Sequence, residues 1–130
     1  MGRITNILLV VLLTCVVGYA QGELYSKIKE SFSSGNASTL SDNFGNSINC
    51  NILGKENFYS RSQSAIVFKD FFTTHKPKDF EVRYSKNEKN GGLYLIGKYT
   101  SQGGKVFRIT IYAKQENETE FYIIKIKIEE

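Results

Sequence analysis

The chain has 130 residues, 17 of them basic and 13 acidic, for a net charge of +4, and 41% of it is apolar. That suffices for one ordinary domain with its own core and is too little for two. The positive balance is mild and contains no dense Lys/Arg run, which argues against a nucleic-acid arm.

Met1-Gly2-Arg3 gives a positively charged start, Ile7 to Val17 is almost wholly apolar, and Gly18-Tyr19-Ala20 offers small residues at the positions a signal peptidase reads. Residues 1–20 therefore read as a secretory signal peptide cleaved after Ala20. The apolar run is about eleven residues against the roughly twenty of a spanning helix, so no transmembrane anchor is expected after processing. A lipoprotein through Cys15 is the alternative, since Leu12-Leu13-Thr14-Cys15 resembles a lipobox, although Thr14 is bulkier than the usual residue there. The expected product is a single exported domain, residues 21–130, periplasmic or secreted. It retains one cysteine, Cys50, so it cannot close an internal disulfide and must rest on its core. In Ile48-Asn49-Cys50-Asn51-Ile52 the cysteine shares the parity of the isoleucines, which marks a buried, inert thiol.

Leu24, Ile28 and Phe32 recur every four residues and predict a helix over residues 23–32, ended by Ser33-Ser34-Gly35. A short helix is predicted over residues 37–44, capped by Asn36 or Ser38. A strand over residues 47–53 follows. Ser60 and Gln63 form a capping box for a third helix, whose stripe is Ala65, Phe68 and Phe72, flanked by Val67 and Phe71. Pro77 stops it. The period then changes to two. Phe80, Val82 and Tyr84 alternate with charged or polar residues, and strands follow over residues 93–101, 106–114 and 120–129, joined by Asn/Gly-rich or polar turns. The order is α-α-β-α-β-β-β-β. It implies an α+β fold, with N-terminal helices packed on a curved, mainly antiparallel sheet that closes into a cone. The chain has nine Phe and eight Tyr, and many of them sit at inward strand positions, as a core without a disulfide requires.

This order resembles the nuclear transport factor 2-like superfamily, the cone shared with ketosteroid isomerase, scytalone dehydratase and many polyketide cyclases. More narrowly, the chain is similar to the domain of unknown function 4783 family of exported Bacteroidetes proteins. The resemblance is carried by Leu40-Ser41 with Phe44, by Tyr59-Ser60-Arg61-Ser62-Gln63-Ser64-Ala65, and by Phe71-Phe72, Pro77 and Phe80. Tyr94-Leu95-Ile96-Gly97 and the Gly104-to-Ile111 strand continue it, so that it runs over nearly all of residues 24–130. It implies the fold and an envelope location, and dimerisation through the sheet, common in the superfamily, makes a homodimer an expectation.

Enzymes of this superfamily place an acid or base in the cone with a second polar group, which makes Asp42 the catalytic candidate. An isomerase or dehydratase using Asp42 or Tyr84 for proton transfer is the alternative to the leading reading, a non-catalytic module that binds a small ligand or an envelope partner. Asn49, Tyr84 and Tyr99 are assigned inward parity and would line a ligand pocket. Asp70 is placed on the outer helix face, Asp79 in a turn, and His75 at a helix C-terminus, where an imidazole meets the last carbonyls. One histidine and one cysteine at unrelated spacing make no metal site, and no cofactor is expected. Arg83, Lys98, Arg108, Lys125 and Lys127 share outward parity and would form a basic band, interrupted by Glu81 and Glu120, facing an anionic surface. No nucleic-acid partner is expected. Asn36-Ala37-Ser38 and Asn117-Glu118-Thr119 match the N-glycosylation pattern, which has no meaning in a bacterial host.

Overall fold

The first helix, α1 (residues 22–34), buries Leu24, Ile28 and Phe32 as one stripe. These positions come from a computed structural model that describes residues 22–89, 91–117 and 120–130; the expected signal peptide with Cys15, and parts of the turns at 90 and 118–119, lie outside them. Gly35, at φ 69°, ends α1, and Asn36 then caps α2 (Ala37–Ser41), its side-chain oxygen accepting the Thr39 N–H at 3.0 Å. The helix stops three residues before Phe44, because Phe44 opens strand β1 (Phe44–Ile52) instead.

After β1 the chain departs from the expected order. Leu53 and Gly54 adopt φ of 52° and 87° and turn the chain tightly into β2 (Lys55–Ser60), antiparallel to β1 with Ile52 opposite Lys55. Positive φ at both central residues is what a type I′ two-residue hairpin turn requires. The order is therefore α-α-β-β-α-β-β-β-β, with six strands. Ser60 ends β2 and caps α3 (Arg61–Thr74). Its hydroxyl accepts the Gln63 N–H at 3.2 Å, and the Gln63 side chain accepts the Ser60 N–H at 3.1 Å, which is the anticipated capping box. Arg61 ties this helix start to β1 by donating from Nε to the Phe44 carbonyl at 3.1 Å. The buried face of α3 is Ser64, Phe68, Phe71 and Phe72; Ala65 and Val67 are only partly covered, so the stripe is rotated from the expected one.

Strands β3 (Pro77–Asn87), β4 (Leu93–Ser101), β5 (Val106–Gln115) and β6 (Phe121–Glu129) complete one sheet in the order β2-β1-β6-β5-β4-β3. Every pair is antiparallel except β1 with β6. Register shifts at Val82/Tyr84 in β3 and near Tyr112/Ala113 on the β5–β6 pair bend and twist the sheet. The concave face carries Leu93, Leu95 and Tyr99 of β4, Phe107, Ile109 and Ile111 of β5, and Ile123, Ile126 and Ile128 of β6, all buried under the helices.

Gly97 shows how tightly this interior is filled. A Cβ built there would stand 2.3 Å from the Phe80 ring, and that ring is held against Phe32 at a centroid distance of 5.0 Å. Gly97→Ala is therefore expected to lower the unfolding free energy by about 1–3 kcal/mol through overpacking. In the same urea titration, Gly103→Ala, whose nearest atom is Ser101 Oγ at 3.8 Å, should stay within about 0.5 kcal/mol.

Candidate functional site

A ligand site inside the cone needs space and a polar group free to use it. The space is taken by rings. Tyr99 is fully buried, with ring centroids 5.5 Å from Phe71, 6.1 Å from Phe107, 6.2 Å from Phe72 and 6.4 Å from Phe32. Its hydroxyl donates to the backbone carbonyl of His75, one of the carbonyls left without a helical partner at the end of α3. Burial holds the phenol well above its ordinary ionisation range. The inward tyrosine is thus a neutral packing residue with its one donor engaged. His75 caps α3 through its own N–H, which donates to the Phe71 carbonyl at 2.8 Å, and its ring packs against Phe71 and Phe107 at 5.3 and 4.9 Å.

The other two residues assigned to the pocket lie elsewhere. Parity fails for Tyr84 because the β3 register shifts after Val82: Val82 faces Gly97 on the inner side, whereas Tyr84 faces Ile96 on the outer side and is 49% exposed. A bulge reverses the alternation beyond it. Asn49 alternates with the buried Ile48 and Cys50, so it also points outward, where its Nδ2 donates to Glu56 at 3.0 Å. Asn49, Tyr84 and Tyr99 do not converge. Asp42 is exposed at the C-cap of α2, with its backbone N–H on the Ser38 and Leu40 carbonyls. Asp79 is within β3, opposite Thr100, rather than in a turn.

The structure brings together a different group. Between the β1–β2 hairpin and the second half of α3 lies a cleft of about 290 Å³. Ile52, Leu53, Val67 and Phe71 give it an apolar floor and wall, and Lys55, Tyr59, Asp70, Thr74 and His75 line the remainder. Sequence reasoning missed Lys55 and Tyr59 because it missed β2, and placed Asp70 on an outer face, where it is indeed exposed but borders this cleft. The Leu53-Gly54 dipeptide was the available signal, weakened by a leucine where Asn or Asp usually sits.

On the convex face of the sheet, Lys98 lies directly opposite Arg108, and Lys127 and Lys125 lie opposite Thr110 and Tyr112. Glu81 faces Lys98 from β3, and Glu129 faces Arg108 from β6. Glu120 instead accepts a hydrogen bond from the Tyr122 hydroxyl at 3.0 Å. Among the described residues no group of three or more His, Cys, Asp or Glu is placed to hold a metal ion, and no helix is long and apolar enough to cross a membrane.

A curved sheet with helices packed in its concavity defines the nuclear transport factor 2-like class. A protein of unknown function of that class from Silicibacter pomeroyi superposes with a TM-score of 0.58 at 13% identity, covering 85% of this chain and 92% of its own. The narrower assignment follows from the family model "Domain of unknown function (DUF4783)", which matches residues 25–129: the chain belongs to that family. Crystal structures of DUF4783 proteins from Bacteroides ovatus (21% identity, TM-score 0.73, 79% of this chain and 91% of that one) and Bacteroides fragilis (22%, 0.72, 79% and 94%) share the fold. No protein of curated function matches the chain.

Cys50 is free and fully buried, and burial pushes its thiol up to about 12. A thiol kept neutral by the fold stabilises it fully below the unfolded-state value near 9, and that contribution is lost as pH rises toward 12. The stability difference between wild type and Cys50→Ala is therefore expected to be constant from pH 6 to 9 and to shrink above it. At pH 8 a thiol reagent such as DTNB should modify Cys50 only as fast as the protein opens.

Proposed function

We propose that this chain is an exported, non-catalytic binding domain that takes a small ligand with an apolar body and a polar end in the cleft between the β1–β2 hairpin and α3. Export is supported by the charged, apolar and small-residue sequence of residues 1–20. The non-catalytic reading is supported by the filled interior. An isomerase or dehydratase needs a desolvated acid or base beside its substrate, whereas Asp42 and Tyr84 are exposed and the Tyr99 hydroxyl is bonded to a backbone carbonyl.

The observation that carries the choice of cleft is Leu53. It is held at φ 52°, a left-handed conformation that costs an L-residue about 1–2 kcal/mol, and it is 45% exposed, so packing returns little of that cost. A leucine in a position suited to Asn or Gly is explained if its side chain is needed where it points. It lines the cleft beside Ile52, Val67 and Phe71. Lys55 and Asp70, of opposite charge, offer partners for the polar end of a bound molecule.

Leu53→Asn separates the two roles. It should raise stability by about 0.5–1 kcal/mol, because Asn tolerates the left-handed conformation. In an NMR screen with a fragment library, compounds that shift the amide signals of Tyr59, Val67 and Thr74 in the wild type should bind about tenfold more weakly to this variant. Fragments that bind elsewhere only, or that bind the cleft equally well in Leu53→Asn, would overturn the reading.

A further inference from the structure

The convex face of the sheet carries a second site that does not rest on the cleft. Lys98 and Arg108 are directly opposed across β4 and β5, a like-charge cross-strand pair that weakens a sheet. The acids that could neutralise them are committed elsewhere: Glu81 pairs with Arg83 at 3.5 Å, and Glu129 with Lys127 at 3.3 Å. Among the described residues neither Lys98 nor Arg108 makes an ion pair. Both line a surface depression of about 350 Å³ with Ile96 and Val106, and the bulge in β3 brings Arg83 to the same depression. Two unpaired cations, Lys98 and Arg108, thus meet in one hollow on rigid strands, beside the Glu81-paired Arg83.

The aromatic residues two cross-strand rows further along the same face narrow the ligand class. Tyr94 and Tyr112 are directly opposed on the same face, and the Tyr84 ring meets Tyr94 edge-on at 6.2 Å. Lys86 and Lys125 flank this tyrosine row, opposite Tyr94 and Tyr112 respectively. A shallow face with ring surfaces between spaced cations suits a chain whose units are flat and apolar on their faces but acidic at intervals. We infer that this face binds an acidic polysaccharide, its carboxylates held by Lys98 and Arg108 and its sugar rings resting on Tyr94 and Tyr112. A nucleic-acid strand fits less well, because the chain carries a net charge of only +4 and no dense Lys/Arg run to follow a phosphate backbone. A second copy whose two-fold axis passes through the hollow would set cation against cation.

The test is affinity electrophoresis of the exported form in native gels containing polygalacturonate, with neutral dextran as control. Retardation is expected in polygalacturonate and not in dextran, and it should vanish at about 0.5 M sodium chloride as the charges are screened. Lys98→Gln/Arg108→Gln should weaken binding by about tenfold or more while melting no lower than the wild type, since it removes a like-charge pair. Tyr112→Ala should weaken polygalacturonate binding and leave the salt dependence unchanged. Absence of retardation, retention of binding in the double variant, indifference to Tyr112→Ala, or tighter binding of a single-stranded oligonucleotide than of polygalacturonate would each overturn the inference.

Discussion

The structure depends on aromatic rings filling a cone that no covalent link holds shut. Cys50 is free, so the helices stay on the sheet only through what they bury. Phe32 of α1 reaches Phe72 of α3 at 5.6 Å and Phe80 of β3 at 5.0 Å, and so joins three elements in one contact group. Tyr99 completes it. Its ring packs among Phe71, Phe72 and Phe107, while its hydroxyl satisfies the His75 carbonyl at the end of α3. A buried hydroxyl without a partner would be costly, and so would a helix end without one; a single bond removes both costs. Gly97 follows from the same constraint, since only a residue without Cβ leaves room for the Phe80 ring.

In a nuclear transport factor 2-like enzyme the cone would be the place to exclude water from a reacting group. Here that volume maintains the fold, and the features without a structural purpose lie outside it. They are a strained, exposed leucine at a hairpin tip and a cross-strand pair of cations whose facing acids pair elsewhere. Each costs some stability where it stands, and each borders a concave surface.

Much of this was legible in the sequence, and what was not has specific causes. The helix stripe of Leu24, Ile28 and Phe32, the Ser60–Gln63 capping box and the four C-terminal strands follow from period and capping chemistry. The outward placement of Lys98 and Arg108 could be read for the same reason, since β4 and β5 alternate without interruption. Tyr84 could not, because a one-residue bulge leaves no mark in the pattern yet reverses every side chain beyond it. Strand β2 was hidden by its exposure: Lys55 to Phe58 are all exposed, so an edge strand reads as a polar loop. Asn49 sits outward by the very parity that placed Cys50 inward. The cleft lined by Lys55, Tyr59, Asp70 and His75 depends on that hairpin packing near α3, a contact between segments that local pattern does not encode.

The filled cone is tested most directly by xenon titration of residues 21–130 followed by ¹²⁹Xe NMR, because xenon enters dry apolar cavities that water leaves empty. A shift that rises linearly with protein concentration and shows no saturable site is the expected result. Saturable binding, with perturbed methyl signals at Leu95, Ile109 and Ile111 beneath the rings, would mean that the cone holds a cavity and that a ligand site or active site belongs inside it.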